Sequence, residues 1–310
     1  MIIVYYLIIY LSFNKDTNDK SNRNFSVLKM ITISLIVLQF IIIIFPKNYI
    51  EVNMIDVGQG DSTLIKTNNY NILIDGGGSE NSSYDVGESV LVPYLLDNTN
   101  GTIDVMFISH FHEDHSEGCI SVLDKLKVKK IVIGTQPNQT ELYYTILKIA
   151  KEKNIQIITL TKGDIFSIDH IKFSVLFPDK ELQIAEDLNN NSLVIKMEYY
   201  STSILFTGDI EKEAEKILIE EYTNNLNIDI LKVAHHGSKS SSIKEFLEYT
   251  TPKISLISLG ENNKFGHPNE EVLKRLEEVG SKIYRTDRSG EVTLKIYKDG
   301  KIKIKRNIKE

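Results

Sequence analysis

Seven histidines occur in this chain of 310 residues, and three of them fall within six positions of Ser109-His110-Phe111-His112-Glu113-Asp114-His115. Imidazoles with an interleaved carboxylate are donors that zinc favours, and a loop leaving a strand can turn several of them onto one point. The other four histidines lie elsewhere, so the cluster does not reflect a His-rich composition. Two further segments repeat the layout of an apolar run ending in metal-binding side chains. Thr207-Gly208-Asp209 closes the run 203–207, and Ala234-His235-His236-Gly237-Ser238 follows the run 230–233. An aspartate after a glycine is by itself an ordinary turn residue. Three strand ends of this kind together point to one centre, at which metal-activated water would attack an ester.

Apolar runs bounded by turn residues predict strands over 51–57, 70–74, 105–109, 130–133, 171–176, 193–197, 203–207, 230–233 and 254–259. Helical spacing of apolar residues appears over 89–96, 141–153, 212–222, 242–249 and 269–279. Strands and helices mixed in this way, without repeats, predict a single α/β domain over 49–310 in which sheets are flanked by helices. The strand ends then have to converge on one edge of the sheets.

With these residues in place the chain resembles the metallo-β-lactamase fold, and more narrowly the extracellular hydrolase domain of ComEC-type DNA-internalisation competence proteins. The resemblance runs from about Asn53 to the C-terminus. It is carried by Asp56-Val57-Gly58-Gln59-Gly60-Asp61-Ser62, Leu73-Ile74-Asp75-Gly76-Gly77, the His110 cluster, Asn191-Ser192-Leu193-Val194 and Leu205-Phe206-Thr207-Gly208-Asp209. Leu231-Lys232-Val233-Ala234-His235-His236-Gly237-Ser238, Phe265-Gly266-His267-Pro268 and Tyr284-Arg285-Thr286-Asp287 complete it. The resemblance implies an αββα sandwich and two divalent metal ions, with zinc the default and manganese its rival. It implies that His110 and His112 hold one ion, that Asp114, His115 and a later histidine hold the second, and that Asp209 bridges them. Asp114 thereby counts with the catalytic residues as well as the ligands. His236 is favoured as the later histidine, with His235 second. Asp75 is expected to orient a ligand imidazole. Many relatives supply a further histidine before the bridging aspartate. Here only His170 is available, in a turn context that reads as structural, so water, Asn191 or His267 would complete the first site, or the enzyme holds a single metal. Asn191 and Ser192 are also expected beside the substrate or behind the ligands.

His235 or His267 would protonate the leaving oxygen or bind phosphate. The segment Ser238–Ser242 would either cradle a phosphate at a helix start or form an ordinary polar loop. Asp61 and Ser62 would line the site, unless Gly58 and Gly60 serve only a tight turn. Cys119, the one cysteine, excludes an intramolecular disulfide and reads as a small buried hydrophobe.

Residues 1–48 read differently. The run 27–45 is almost entirely apolar, interrupted by Lys29 and Gln39, and long enough to span a bilayer, whereas 1–13 is a partial span at most. Lys15, Lys20, Arg23 and Lys29 put the intervening segment in the cytoplasm, so that 49–310 faces outward. The net charge of −6 argues against a tight, sequence-independent DNA binder, but an enzyme that grips a few phosphates through metal does not need a basic surface. The expectation is a membrane-tethered phosphodiesterase acting on DNA in a competence role. It would sit at the cell membrane with its catalytic domain outside, and a separate channel protein would be its partner, because one or two spans cannot conduct DNA. The alternatives are a hydrolase of another ester, such as a choline-phosphate esterase or a lactonase, and a non-catalytic tethered binding module.

Overall fold

The computed structural model describes residues 28–36, 47–79, 84–135, 140–181, 184 and 187–308. The chain divides into two compact units, Met1–Asn48 and Tyr49–Glu310. In the first, residues 28–36 are helical. No helix among the described residues is long and apolar enough to cross a membrane, and the run 1–13 with the remainder of 27–45 lies outside the described residues.

The second unit is built on two sheets. The first contains β1 (Tyr49–Met54), β2 (Thr63–Lys66), β3 (Asn71–Ile74), β5 (Val105–Ile108), β7 (Lys130–Gly134), β8 (Gln156–Leu160), β16 (Val292–Tyr297) and β17 (Ile302–Arg306). Their order is β17-β16-β1-β2-β3-β5-β7-β8. The second contains β9 (Ile165–Ile168), β10 (Ile171–Phe177), β11 (Val194–Tyr199), β12 (Thr202–Phe206), β13 (Ile230–Lys232), β14 (Ile254–Ile257) and β15 (Lys282–Arg285), in the order β15-β14-β13-β12-β11-β10-β9. A small parallel pair joins β4 (Thr102–Ile103) to β6 (Lys127–Val128). Each large sheet is antiparallel on one side and parallel on the other, β3-β5-β7-β8 in the first and β12-β13-β14-β15 in the second.

Side chains alternate across a strand, so a strand covered on both faces reads as a continuous apolar run. In β5, Val105 and Phe107 enter the core between the sheets, whereas Met106 and Ile108 enter the core beneath the helices. The helices α1 (Val92–Asn98), α2 (Glu113–Lys125) and α3 (Glu141–Glu152) cover the first sheet through Leu95, Val122, Leu123 and Ile146. On the second sheet, α4 (Lys212–Tyr222), α5 (Lys244–Thr250) and α6 (Glu270–Glu278) pack Leu218, Phe246, Leu247, Val272 and Leu276. The layers are therefore helix, sheet, sheet, helix.

The nine predicted strands are all present, with ends that move by one to three residues. The helix α2 has no counterpart in the sequence pattern, which treats the His cluster as a loop. Its buried face is Ser116, Gly118, Cys119, Val122 and Leu123, and small residues leave little apolar periodicity to read. They are small because the neighbouring backbone approaches closely. Gly118 N–H donates to Gly77 O at 2.9 Å, Gly76 N–H to His115 O at 2.7 Å and Asp61 N–H to Asp114 O at 3.0 Å. A Cβ on Gly118 would stand 2.1 Å from the carbonyl oxygen of Gly76. Alanine normally stabilises a helix interior relative to glycine by roughly 1 kcal/mol. At this contact the order inverts: Gly118→Ala is expected to lower stability by about 1–3 kcal/mol in denaturant unfolding, because rigid backbone has to give way.

Candidate metal centre

Open α/β sheets place ligands outside the carboxyl ends of their parallel strands. Here two sheets do so at the same place. Asp75 follows β3, His110 and His112 follow β5, Asp209 follows β12, and His235 and His236 follow β13. Asp114 and His115 lie in the first turn of α2. Correcting the loop expected there, these two residues are carried by a helix that the glycine backbone clamps from beneath.

Ligand atoms of Asp114, His115, Asp209 and His236 all lie within 4.8 Å of one another. His236 Nε2 is 3.2 Å from Asp114 Oδ2 and 3.5 Å from Asp209 Oδ2, while its Nδ1 stands 2.8 Å from the Ser258 carbonyl. A proton on Nδ1 that is donated to that carbonyl leaves the Nε2 lone pair facing inward. His115 is held in the same way, with Nδ1 3.0 Å from Asp75 Oδ2. Asp75 also accepts from Ser109 N–H at 2.7 Å and Ser109 Oγ at 2.8 Å, which fixes the carboxylate to the end of β5. His115 Nε2 and Asp209 Oδ1 face each other at 3.2 Å, yet both are buried without a hydrogen-bond partner. Two buried donor atoms turned onto one point without a partner fit a shared cation. His110 Nε2 and His112 Nδ1 converge likewise at 3.2 Å.

The histidine doublet separates by backbone conformation. His235 and His236 both adopt left-handed angles, φ 49° and 52°, ahead of Gly237 at φ 80°. Strain of this kind costs about 1–3 kcal/mol per residue and concentrates at functional sites. It turns the adjacent rings apart. His236 enters the buried cluster, whereas His235 stays partly exposed with Nδ1 3.0 Å from Glu211 Oε1 and Nε2 3.9 Å from Asp209 Oδ2.

Electrostatics follow from burying several carboxylates together. Burial alone would raise the Asp209 carboxyl, but His115 and His236 hold it well below the usual range, and Asp114 is depressed by the same pair. Burial would lower His115 and His236; the surrounding carboxylates, Asp209 foremost, raise both instead. His110, by contrast, is pushed well below its ordinary value by burial and by His115, which keeps its lone pair free. His267 is lowered to about 4, first by burial and then by His236 and His235, so it is neutral at physiological pH.

Other candidates find different places. Asp61 is buried behind the cluster, 3.7 Å from His115 Nδ1 and 3.5 Å from His236 Nδ1. It pairs with the buried Lys232, whose ammonium also reaches Gly208 O at 3.2 Å. In the sequence Lys232 reads only as a strand residue; a lysine inside the otherwise apolar run 230–233 is the one signal of its role. Ser192 Oγ accepts from Asp209 N–H at 3.1 Å and so positions that carboxylate. Asn191 is corrected as a source of the missing ligand, because its amide holds Ile184 N–H and O and the Asp187 carbonyl. His170 lies in the turn between β9 and β10 with its side chain 59% exposed. The phosphate cradle at Ser238–Ser242 is also corrected. The helix starts at Lys244, and the Ser242 and Ile243 N–H groups are taken by the buried Glu215 carboxylate. Ser238 Oγ meets Ser240 Oγ at 2.9 Å, and Ser240 Oγ in turn donates to Glu211. An open cleft of about 120 Å³ above the cluster is lined by His112, Asn189, Asp209, His235 and His267 among others.

The metallo-beta-lactamase superfamily model matches residues 55–261, a span that contains all of these strand ends. The chain belongs to this superfamily. Similar curated proteins include ComE operon protein 3 of Bacillus subtilis, 34% identical over 82% of this chain and 34% of its own, and competence protein ComA of Neisseria gonorrhoeae, 30% identical over 79% and 32%. The chain thus spans about a third of the length of the curated relatives it matches. Among solved structures, the metallo-beta-lactamase fold protein YhfI from Bacillus subtilis superposes with a TM-score of 0.51 over 83% of this chain and 100% of its own, at 14% identity. The superfamily makes this a metal-dependent hydrolase fold with competence proteins among its relatives.

Histidine binds metal only when neutral. Because the surrounding carboxylates, Asp209 foremost, raise His115 and His236 above the ordinary imidazole value in the metal-free protein, metal loading near neutrality is expected to release protons, and affinity to rise with pH. Calorimetry in two buffers of different ionisation enthalpy should give different apparent heats; equal heats would contradict the assignment of charge.

Proposed function

We propose that this chain is a membrane-tethered phosphodiesterase that uses two divalent metal ions to cut DNA in a competence-type role. The observation that carries the reading is the convergence of Asp114, His115, Asp209 and His236 within 4.8 Å, beside the His110–His112 pair at 3.2 Å. In this reading His110 and His112 hold one ion, Asp114, His115 and His236 hold the other, and Asp209 is shared. Zinc suits the imidazoles, and manganese suits a phosphodiester. Residues 1–48 form the anchor, with a span at 27–45 and a partial one at 1–13, and 49–310 works on the extracellular face, feeding a separate channel protein. The names of the competence relatives and the basic segment between the two apolar runs support that placement.

When bound, such an ion pair lowers the pKa of water toward about 7 and clamps phosphoryl oxygens. The protein's share is orientation and charge. Asp75 and the Ser258 carbonyl hold Nδ1 of His115 and of His236, so that each Nε2 points inward. Lys232 offsets the carboxylates of Asp61 and Asp209 from below. His235, with Nδ1 at Glu211 and Nε2 toward Asp209, passes a proton to the leaving oxygen. His267, neutral, offers a hydrogen bond to phosphate and does not serve as the acid. Beside the cleft a larger hollow of about 460 Å³ is lined by Gln59, Ser79, Asp114, Lys264 and the exposed Phe265. An aromatic face next to a cation suits a stacked base and its phosphate.

Loss of the shared carboxylate tests the chemistry. Asp209→Ala is expected to reduce manganese- or zinc-dependent cleavage of single- or double-stranded DNA by more than about 100-fold, since even partners of ligands cost about 10–100-fold when removed. Metal-loaded wild type that leaves DNA intact would redirect the search to other phosphate esters. The tether is tested separately: protease added to intact cells should digest 49–310, and full protection would reverse the orientation.

A further inference from the structure

Three asparagines in a row, Asn189-Asn190-Asn191, precede β11. Two of them are spent on the fold. Asn190 Oδ1 accepts from the Glu211 and Ala214 N–H groups at 2.9 and 3.3 Å, and its Nδ2 donates to Asp187 Oδ2 at 2.7 Å. Asn191 ties together Ile184 and Asp187. Asn189 is different: its Oδ1 is buried with no hydrogen-bond partner, and the residue lines the cleft with His112 and Asp209. The flanking segment is pinned to the strand end that carries His110, because Leu193 N–H donates to Ser109 O at 2.8 Å. It is pinned to the shared aspartate as well, through Ser192 Oγ and Asp209 N–H.

Beyond the shared Asp209, the pair His110 and His112 has no further protein ligand among the histidines of the chain. His170 is exposed in a distant turn, and Asn191 is occupied. His267 stands with the other set, its ring 5.6 Å from that of His235 and 6.5 Å from that of His236. We infer that the Asn189 side-chain oxygen is a protein ligand of the first metal, completing His110, His112 and the shared Asp209 where many members of the superfamily use a further histidine. The assignment rests on the two-metal reading above. Its chemical consequence is a change of metal preference. An amide oxygen is a harder donor than imidazole, and carbonyl ligands suit manganese better than a three-histidine set would. Asn190 and Asn191 pre-organise that oxygen by fastening the chain on its C-terminal side.

The test uses the full-length chain in detergent, stripped of metal and titrated with Mn(II), with free ion followed by electron paramagnetic resonance. Wild type is expected to bind two ions. Asn189→Ala should retain one site and weaken the other at least about tenfold, and Asn189→Asp, which keeps the oxygen, should restore it. Asn189→His should bind two ions while shifting competition toward zinc. His170→Ala, at the exposed turn, serves as the unchanged control. An Asn189→Ala protein with a normal melting curve and two wild-type affinities overturns the assignment alone. Should Asn189→Ala fail to fold, an Asn189→His protein with wild-type zinc and manganese preference does the same. Wild type that binds a single ion overturns the two-metal reading, and this assignment with it.

Discussion

Four carboxylates, Asp61, Asp75, Asp114 and Asp209, meet at one place between two sheets, and all but Asp114 are almost wholly buried. Burying like charges together is tolerable only where cations and hydrogen bonds compensate them. Much of the local architecture follows from that constraint. Lys232 supplies one fixed cation from β13, and the imidazoles of His115 and His236 supply the next. Asp75 is satisfied by Ser109 and His115, whereas Ser192 Oγ accepts only the Asp209 backbone N–H and leaves that carboxylate to the imidazoles and Lys232. His115 Nε2 and Asp209 Oδ1, which lack a hydrogen-bond partner, point at one another.

The same constraint joins the sheets. Asp61 belongs to the first sheet's side of the molecule and Lys232 to the second, so their ion pair crosses the sandwich where the strand ends meet. A buried pair of this kind adds little net stability, yet removing one partner costs roughly 3–5 kcal/mol because a bare charge is left behind. Its effect is therefore on geometry: ligands from β5 and α2 are held against ligands from β12 and β13. Backbone strain at Asp75, His235 and His236, all with positive φ, is sustained by these contacts and by the core of the sandwich beneath them.

Rigid glycine backbone makes the other half of the platform. The carbonyl of Asp114 lies 2.3 Å from where a Cβ on Gly60 would stand, and Glu113 O lies 2.0 Å from one on Gly78. Side chains at these positions would push the first turn of α2 away, and with it Asp114 and His115. The glycines of both loops thus hold Asp114 and His115 in place at one remove, through packing.

How much of this was legible beforehand depends on what kind of signal each residue leaves. The clustered His110, His112, Asp114 and His115, the strand-ending Asp209 and the doublet at His235 and His236 announce a metal centre by residue type and spacing alone. The apolar runs announce the strands that carry them, because both faces of the central strands are buried. Helix α2 was hidden, since its contact face is made of small residues, and Lys232 was hidden, since one cation in an apolar strand has no periodic signature. Asn189, Asn190 and Asn191 are chemically identical in the sequence; only their hydrogen bonds tell which oxygen is left unpaired. Likewise, the sequence by itself marked the doublet as two imidazoles at a strand end, but the left-handed backbone at His235 and His236 decided which ring turns into the buried cluster. Donor type is a local property and can be read from one residue. Donor direction is set by backbone angles and partners contributed from distant strands, and these exist only once the two sheets have packed.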